Sequence, residues 1–431
     1  MKLPLTDLIA FQRDQLGFFE SRGNGATDPL VPLSMGAGPV FLVTDADLVK
    51  PILRAPEDQI DKGQLIYKLR EIIGESSMVL SGEEHRTRRA AIHSQLAKGV
   101  SSSFVPEITA VIRQHAAMLA REGPFDAHRA TAPLAVRIVA TILFGHGVLS
   151  AADETALITA LHLAEDDLAA EIFKILPDFP WVKNRKKAKL AAAKRTMGFV
   201  VEKARSDAKR HSLISALEQL NLSEKAMHEE ILLLLLSGHH TSGSAAAWIL
   251  YFLGRHPDLA AEIAREASLV SNDAGDVDAK RLPQATTTMA FVKEVLRLYP
   301  SAYWLSRETR QPMELGGRKL AAGTSLLISP WQMQRNPDYW PDPERFDITR
   351  THSGPAYMPF GVGPRVCVGM SLALLELQLI ALEIAASFEI ELASSEPAPP
   401  PKPVITIIPP ALDMRLRPRG AVARPRLHQA A

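Results

Sequence analysis

Apolar positions recur at helical spacing through most of the chain, and strict alternation appears only in short stretches. Leu5–Glu20 reads as an amphipathic helix that stops near Gly23. Gly38–Asp45 reads as a strand, with a partner around Leu30–Ser34. Helices are expected at 46–54, 83–97, 104–122, 129–146, 151–174 and 184–208. A long one covers 222–254, with Asn221 and Glu224 as a capping pair at its start. Further helices fit 256–268, 284–298 and 370–388. Short strands fit 304–309, 313–315, 318–319, 324–328 and 388–393. Ser395–Pro403 is a Pro-rich loop, and the Arg/Pro/Ala-rich residues 419–431 read as a disordered tail. No internal repeat or linker divides the rest. The expectation is therefore a single domain over residues 1–418, mainly α with a small β region.

Composition narrows this. Of 431 residues, 46% are hydrophobic and 23% charged, as in a globular protein with a large core. The most apolar stretch, Ile231–Leu236 and Ala245–Leu253, is interrupted by Gly238, His239, His240, Thr241 and Ser242. It reads as a buried core helix rather than a membrane span, and the N-terminus shows no apolar leader. No transmembrane anchor and a cytoplasmic location are expected. Forty-nine Lys and Arg stand against 48 Asp and Glu, a net charge of +1, so no global field recruits nucleic acid. Cys367 is the one cysteine in the sequence; no intramolecular disulfide can form, which points to a reducing compartment.

A lone cysteine is usually inert packing, so its neighbours decide. Phe360–Gly361–Val362–Gly363–Pro364–Arg365–Val366–Cys367–Val368–Gly369 places glycines on both sides of the thiol and a cation two residues before it. Glycines allow close backbone approach to a thiolate and amide donation to its sulfur. The helix expected from Met370 would add its N-terminal dipole. The alternative is a Gly-rich turn that carries a cysteine by chance.

This decapeptide resembles the heme-binding signature of the cytochrome P450 family, Phe-Gly-x-Gly-x-Arg-x-Cys-x-Gly, at every fixed position. Other landmarks fall in family order, so the resemblance spans about residues 5–417. Glu294 and Arg297 match the family's Glu-x-x-Arg helix, and Pro343–Glu344–Arg345–Phe346 matches the segment that sends a second arginine to them. The resemblance thus implies an architectural triad of Glu294, Arg297 and Arg345; taken alone, the i, i+3 pair could be a surface ion pair. Ser237–Gly238–His239–His240–Thr241–Ser242 sits where the family has its oxygen-activating motif. There Gly238 would admit O2 and substrate to the backbone. Thr241 would bond back to the Ser237 carbonyl or a water, opening the helix locally. Alone, Gly-x-x-Thr would be a packing notch. His240 departs from the family pattern by replacing its usual acid; whether it relays protons or turns outward is open. A zinc site at His239–His240 fits poorly, because adjacent helical residues point about 100° apart.

The resemblance further implies that His85, Arg89, Arg307 and Arg365 bind heme propionates and that Cys367 is the axial iron ligand, with Phe360, Gly361 and Gly369 shaping the cofactor loop. The implied cofactor is heme b (iron protoporphyrin IX). The implied reaction inserts one oxygen atom of O2 into a lipophilic small molecule: terpenoid, steroid or fatty-acid-like. The pocket would be lined by Leu65–Leu80, Leu233–Gly238, Ser301–Trp304 and Val404–Ile407. One cysteine cannot hold an iron–sulfur cluster and no flavin segment is evident, so electrons would come from a separate ferredoxin or flavodoxin-type donor with its reductase. Arg86 and Arg88 are candidate docking cations. A peroxide-driven enzyme and a non-turnover heme sensor are the alternatives; Thr241 argues against both. Finally, aromatics at Phe179 and Trp181 precede a basic run, Lys183, Arg185, Lys186, Lys187 and Lys189, which fits a solvated helix face or contact with an anionic membrane.

Overall fold

The computed structural model describes residues 5–36, 38–97, 102–172, 179–206 and 213–420. The helices run α1 Thr6–Arg13, α2 Gln15–Gly23, α3 Ala46–Arg54, α4 Gln64–Lys68, α5 Arg70–Ile73, α6 Gly82–Leu96, α7 Val105–Glu122 and α8 Ala127–Phe144. They continue as α9 Ala151–Ile172, α10 Pro180–Ser206, α11 Leu213–Glu218, α12 Glu224–Arg255, α13 Pro257–Leu269, α14 Thr286–Leu298, α15 Pro330–Met333 and α16 Met370–Ser387. This is a mainly helical fold with small sheets, as the pattern of apolar positions implied.

The first expected helix is two. Asp14 is extended (φ −152°), and its side chain accepts from Gly17 N, so it closes α1 and caps α2. The long helix α12 is capped by Ser223, whose hydroxyl accepts from Ala226 N at 3.2 Å, and not by the expected pair. Asn221 instead takes a left-handed conformation (φ 48°) that ends the preceding turn. From Met227 to Leu253 α12 is buried on nearly all sides, which is why its apolar pattern lacks a single stripe. Helices α8 and α16 are apolar over 18 residues each, long enough to cross a bilayer, but 78% and 56% of those windows are buried in the core. Trp248 of α12 stacks on Tyr299 at 3.6 Å, fixing the turn after α14.

A five-stranded sheet is ordered β1 (Leu30–Leu33), β2 (Val40–Val43), β8 (Ser325–Ile328), β5 (Leu305–Thr309), β3 (Ile60–Asp61). Only the β2–β8 pair is parallel. β6 (Met313–Leu315) pairs with β7 (Arg318–Leu320), and β10 (Lys402–Pro403) with β11 (Ile407–Ile408). β9 (Phe388–Leu392) pairs with β12 (Asp413–Pro418), which also meets β4 (Phe125–Asp126). The sequence pattern does not announce β12. Its ladder extends order past the expected domain end: Arg419 N still donates to Ser387 O at 2.9 Å. The rest of the expected tail, 421–431, lies outside the described residues.

Candidate functional site

The cysteine loop is folded against itself before it reaches the thiol. Gly361 N donates to Met358 O at 3.0 Å, Val366 N to Gly363 O at 3.0 Å and Cys367 N to Phe360 O at 2.9 Å. Gly363 has φ 83°, and a Cβ there would meet the Leu53 carbonyl oxygen at 2.5 Å, so only glycine fits. After Cys367 the chain enters α16 through Gly369, whose N–H is directed at the thiol. Cys367 is exposed to solvent-sized space although protein surrounds it on most sides, as befits a thiol lining a cleft. Burial pushes its pKa up; the Gly369 amide and the Arg89 guanidinium oppose that rise without cancelling it.

The predicted propionate-binding residues come together, and all are mutually sensitive through Arg365. Burial and then Arg365 lower the His85 pKa to about 4, so its imidazole is neutral at pH 7. Burial and Arg365 also depress Arg307, to about 10. Arg89 donates to the Val366 carbonyl, directly beside Cys367. Arg365 donates to Glu57 Oε1 at 2.5 Å and to Leu80 O at 2.8 Å. Lys62, which the sequence does not single out, joins the group: its Nζ donates to Leu80 O at 2.6 Å and Ser81 Oγ at 2.9 Å, and burial lowers its pKa to about 8. Glu57 and Asp61 are the acids near Lys62, Arg307 and Arg365, and Asp61 is already shared with Arg310 (2.7 Å) and Tyr67 (2.8 Å), while Arg89 lies beside Cys367. A buried excess of cations beside a thiol suits a metal-bearing ligand with carboxylate arms, so these residues fit a heme.

The knot below the loop is centred on Glu294, which is fully buried. Arg297 donates to both of its oxygens at 2.8 Å, His352 Nε2 lies at 2.8 Å and Asp347 N at 2.9 Å. Burial alone would raise this carboxyl, but Arg297 and His352 outweigh it and hold it below its usual value. The second arginine is Arg350, with Nε 3.4 Å from Glu294, and not Arg345. Arg345 has an exposed side chain and contributes only its carbonyl, which accepts from Arg297 Nη2 at 3.1 Å. Gln334 links the knot to the cysteine loop. Its amide donates to Arg297 O at 2.8 Å and its oxygen accepts from Met358 N at 2.9 Å, where the loop begins.

On α12, Thr241 Oγ1 donates to Ser237 O at 2.8 Å, the expected back-bond. The helix nevertheless stays continuous from Glu224 to Arg255 and does not open there. His240 turns inward: it is buried, and its Nδ1 meets Thr406 Oγ1. Gly238 is a notch for Val139 of α8, whose Cγ2 lies 2.8 Å from where a Cβ would be. Two of the expected lining segments, Ser301–Trp304 and Val404–Ile407, are bonded to each other and to α12. Ser301 Oγ donates to Thr241 O at 2.8 Å, Ile407 N to Ser301 O at 3.1 Å and Ser244 Oγ to Ile407 O at 2.5 Å. Among the described residues no group of three His, Cys, Asp or Glu side chains could hold a bare metal ion.

Two buried acids escape a reading of the sequence. Glu230 accepts from Ser77 N at 2.6 Å and Arg88 at 3.1 Å, tying α12 to α6. Arg88 is therefore buried and cannot dock a partner, whereas Arg86 is exposed. Glu376 of α16 is fully enclosed near the Ser242 hydroxyl, and burial raises its pKa to about 8. The signal for it was a lone Glu within Leu372–Leu377. An open concavity of about 690 Å³ lies between α5, α10 and the start of α12; it takes in Arg70, Ile72, Gly74 and Glu75 of the expected Leu65–Leu80 lining but none of the predicted cofactor-binding or catalytic residues.

The family model described as "Cytochrome P450" matches residues 9–415 of the chain. A cyclooctat-9-en-7-ol 5-monooxygenase of Streptomyces melanosporofaciens is 28% identical over 384 residues, covering 84% of this chain and 82% of that protein. Cyclooctatin synthase of the same organism is 26% identical, covering 83% and 82%. The crystal structure of CYP175A1 from Thermus thermophilus superposes with a TM-score of 0.78 at 24% identity, covering 95% of this chain and 97% of that one.

Proposed function

The chain belongs to the cytochrome P450 family of heme-thiolate monooxygenases, and on that premise we propose that it hydroxylates an uncharged, lipophilic small molecule at a heme b held by Cys367. The observation that carries this reading is the pairing of an accessible, enclosed thiol with a buried excess of cations around Arg365. When bound, the heme supplies the redox chemistry that activates O2 for insertion of one oxygen atom into a C–H bond.

The chain's own residues do the rest. With heme bound, Cys367 would ligate as thiolate after releasing its proton to solvent, with the Gly369 N–H and Arg89 stabilising the sulfur's charge. Arg89, Arg307, Arg365 and neutral His85 hold the propionates, and Lys62 adds a further donor. The Thr241 hydroxyl, parked on Ser237 O, is the distal proton-holding group; Ser301 fixes its carbonyl. His240 bonds to Thr406 and supplies an imidazole where the family usually has an acid. Phe360 and Gly361 keep the loop compact on the side of the sulfur. A terpenoid is the favoured substrate class, since the relative's named substrate is an alkene alcohol without charge. Electrons come from a separate ferredoxin or flavodoxin-type donor with its reductase, and the location is cytoplasmic.

Turnover with NAD(P)H and donor proteins, compared with turnover on peroxide alone, tests the reaction. Product from peroxide only would replace this reading with a peroxide-driven one. A spin-shift screen over neutral terpenoids, steroids and fatty acids tests the substrate; a response confined to fatty acids would overturn the terpenoid preference.

A further inference from the structure

The electrostatic balance of the whole chain breaks down on α10. Between Phe179 and Val201 there are seven Lys and Arg and no Asp or Glu, in a protein that as a whole counts 49 basic against 48 acidic residues. The same segment carries the three most exposed large apolar side chains among the described residues: Phe179 at 71%, Trp181 at 68% and Phe199 at 67%.

Helical geometry arranges these groups. Trp181 and Phe199 are 18 residues apart, five whole turns and about 27 Å, so they stand on one face of α10. Between them on that face lie Arg185, Ala188, Ala192 and Arg195, all exposed. Ala192 also borders an open, mostly apolar groove against α9, whose far wall includes the exposed Leu163. Lys183, Lys187 and Lys189 project around the rest of the first turns, and none forms an ion pair among the described residues.

We propose that this face of α10 rests on an anionic lipid surface, with Phe179, Trp181 and Phe199 entering the headgroup boundary and the basic residues bonding lipid phosphates. Aromatic side chains that stand alone on a helix find no matching pocket in a folded partner, but a fluid bilayer needs none. Indole prefers the water–acyl boundary, and each nearby Lys or Arg adds attraction to acidic headgroups. A purely electrostatic dock for an acidic protein would leave the three aromatics unexplained. The inference is independent of the substrate assignment, although a bilayer is where a lipophilic substrate would concentrate.

The test uses the full-length, heme-loaded protein and sedimentation with vesicles. Binding should be weak to phosphatidylcholine alone and roughly tenfold or more stronger with about a third phosphatidylglycerol. It should fall as salt shortens the screening length. Trp248, Trp331 and Trp340 are buried and Trp304 is half-buried against Phe11 and Phe19, so a blue shift of emission on binding reports mainly Trp181. Phe179→Ala with Trp181→Ala, and separately Lys183→Glu with Lys187→Glu, should each abolish most binding. Both pairs are at the surface, so melting temperature and heme content should not change. Absence of vesicle binding by the native chain at low salt would overturn the proposal, as would binding that survives both pairs of substitutions. Slower reduction by ferredoxin in the charge-reversed variant, without vesicle binding, would make the run a protein dock. Self-association lost in the Phe179→Ala, Trp181→Ala variant, without vesicle binding, would make it a dimer face.

Discussion

Glu294 and Glu376 are both withdrawn from solvent, and both lie on helices, α14 and α16, that pack against α12. Their surroundings differ in the number of donors. Glu294 receives two bonds from Arg297, one from His352 and one from a backbone amide, with Arg350 close by, and stays ionised. Glu376 faces one hydroxyl, and its Oε1 has no hydrogen-bond partner among the described residues; burial then keeps it protonated near neutral pH. Two side chains both shut off from solvent thus take opposite charge states, because Glu294 has the donors to offset desolvation and Glu376, the more deeply enclosed, does not. The charged site anchors the cysteine loop from below, through Gln334 and Met358, while the neutral one is part of the helix that follows Cys367.

The contrast is broken most severely at Glu294. Replacing Arg297 with Met should cost about 3–5 kcal/mol, because it strands a buried carboxylate. Denaturant midpoints and heme retention measure it; a loss below about 1 kcal/mol would mean the knot is not a single unit. The charge states are tested by pH. Glu294, held below its ordinary value, contributes stability that is present above 4.5 and lost as pH falls. Glu376, raised to about 8, contributes stability that is full below 4.5 and lost as pH rises toward 8, at about 1.4 kcal/mol per pH unit. Glu376→Gln should flatten that alkaline limb and leave the acid limb intact. An unchanged limb would show that Glu376 is ionised in the native state. Smaller effects are expected on α12. Thr241→Val should lower product formed per NAD(P)H by roughly tenfold, and His240→Ala by less, since Thr406 and water remain to carry its bond. Coupling unaffected by either change would remove this segment from proton delivery.

Much of this is legible in the sequence, for reasons that differ between fold and site. The long helices are readable because apolar spacing over ten or more residues averages out local accidents. Helices α4, α5, α11 and α15 and strand β12 are not, since each is a few residues long and held by tertiary contacts. In the site, Cys367 and its glycines are evident because close backbone approach leaves a residue-type signature. The motif points to Arg345 as the second arginine where the structure uses Arg350. A short motif fixes a segment, but which side chain of that segment reaches a buried carboxylate depends on the turn at Asp347, whose amide also bonds Glu294. Glu376 is easily overlooked because one polar residue in an apolar helix looks like an exposed position until the packing is known.

Every element of this account converges on the sulfur of Cys367, so the most direct measurement is the spectrum of the reduced, CO-bound holoprotein. The native chain should show the red-shifted Soret band of thiolate ligation, and Cys367→Ser should abolish it while the far-UV helical signal is preserved. A red-shifted band that persists in Cys367→Ser, or a native spectrum of the unshifted, histidine-ligated kind, would contradict the assignment of Cys367 as the iron's ligand.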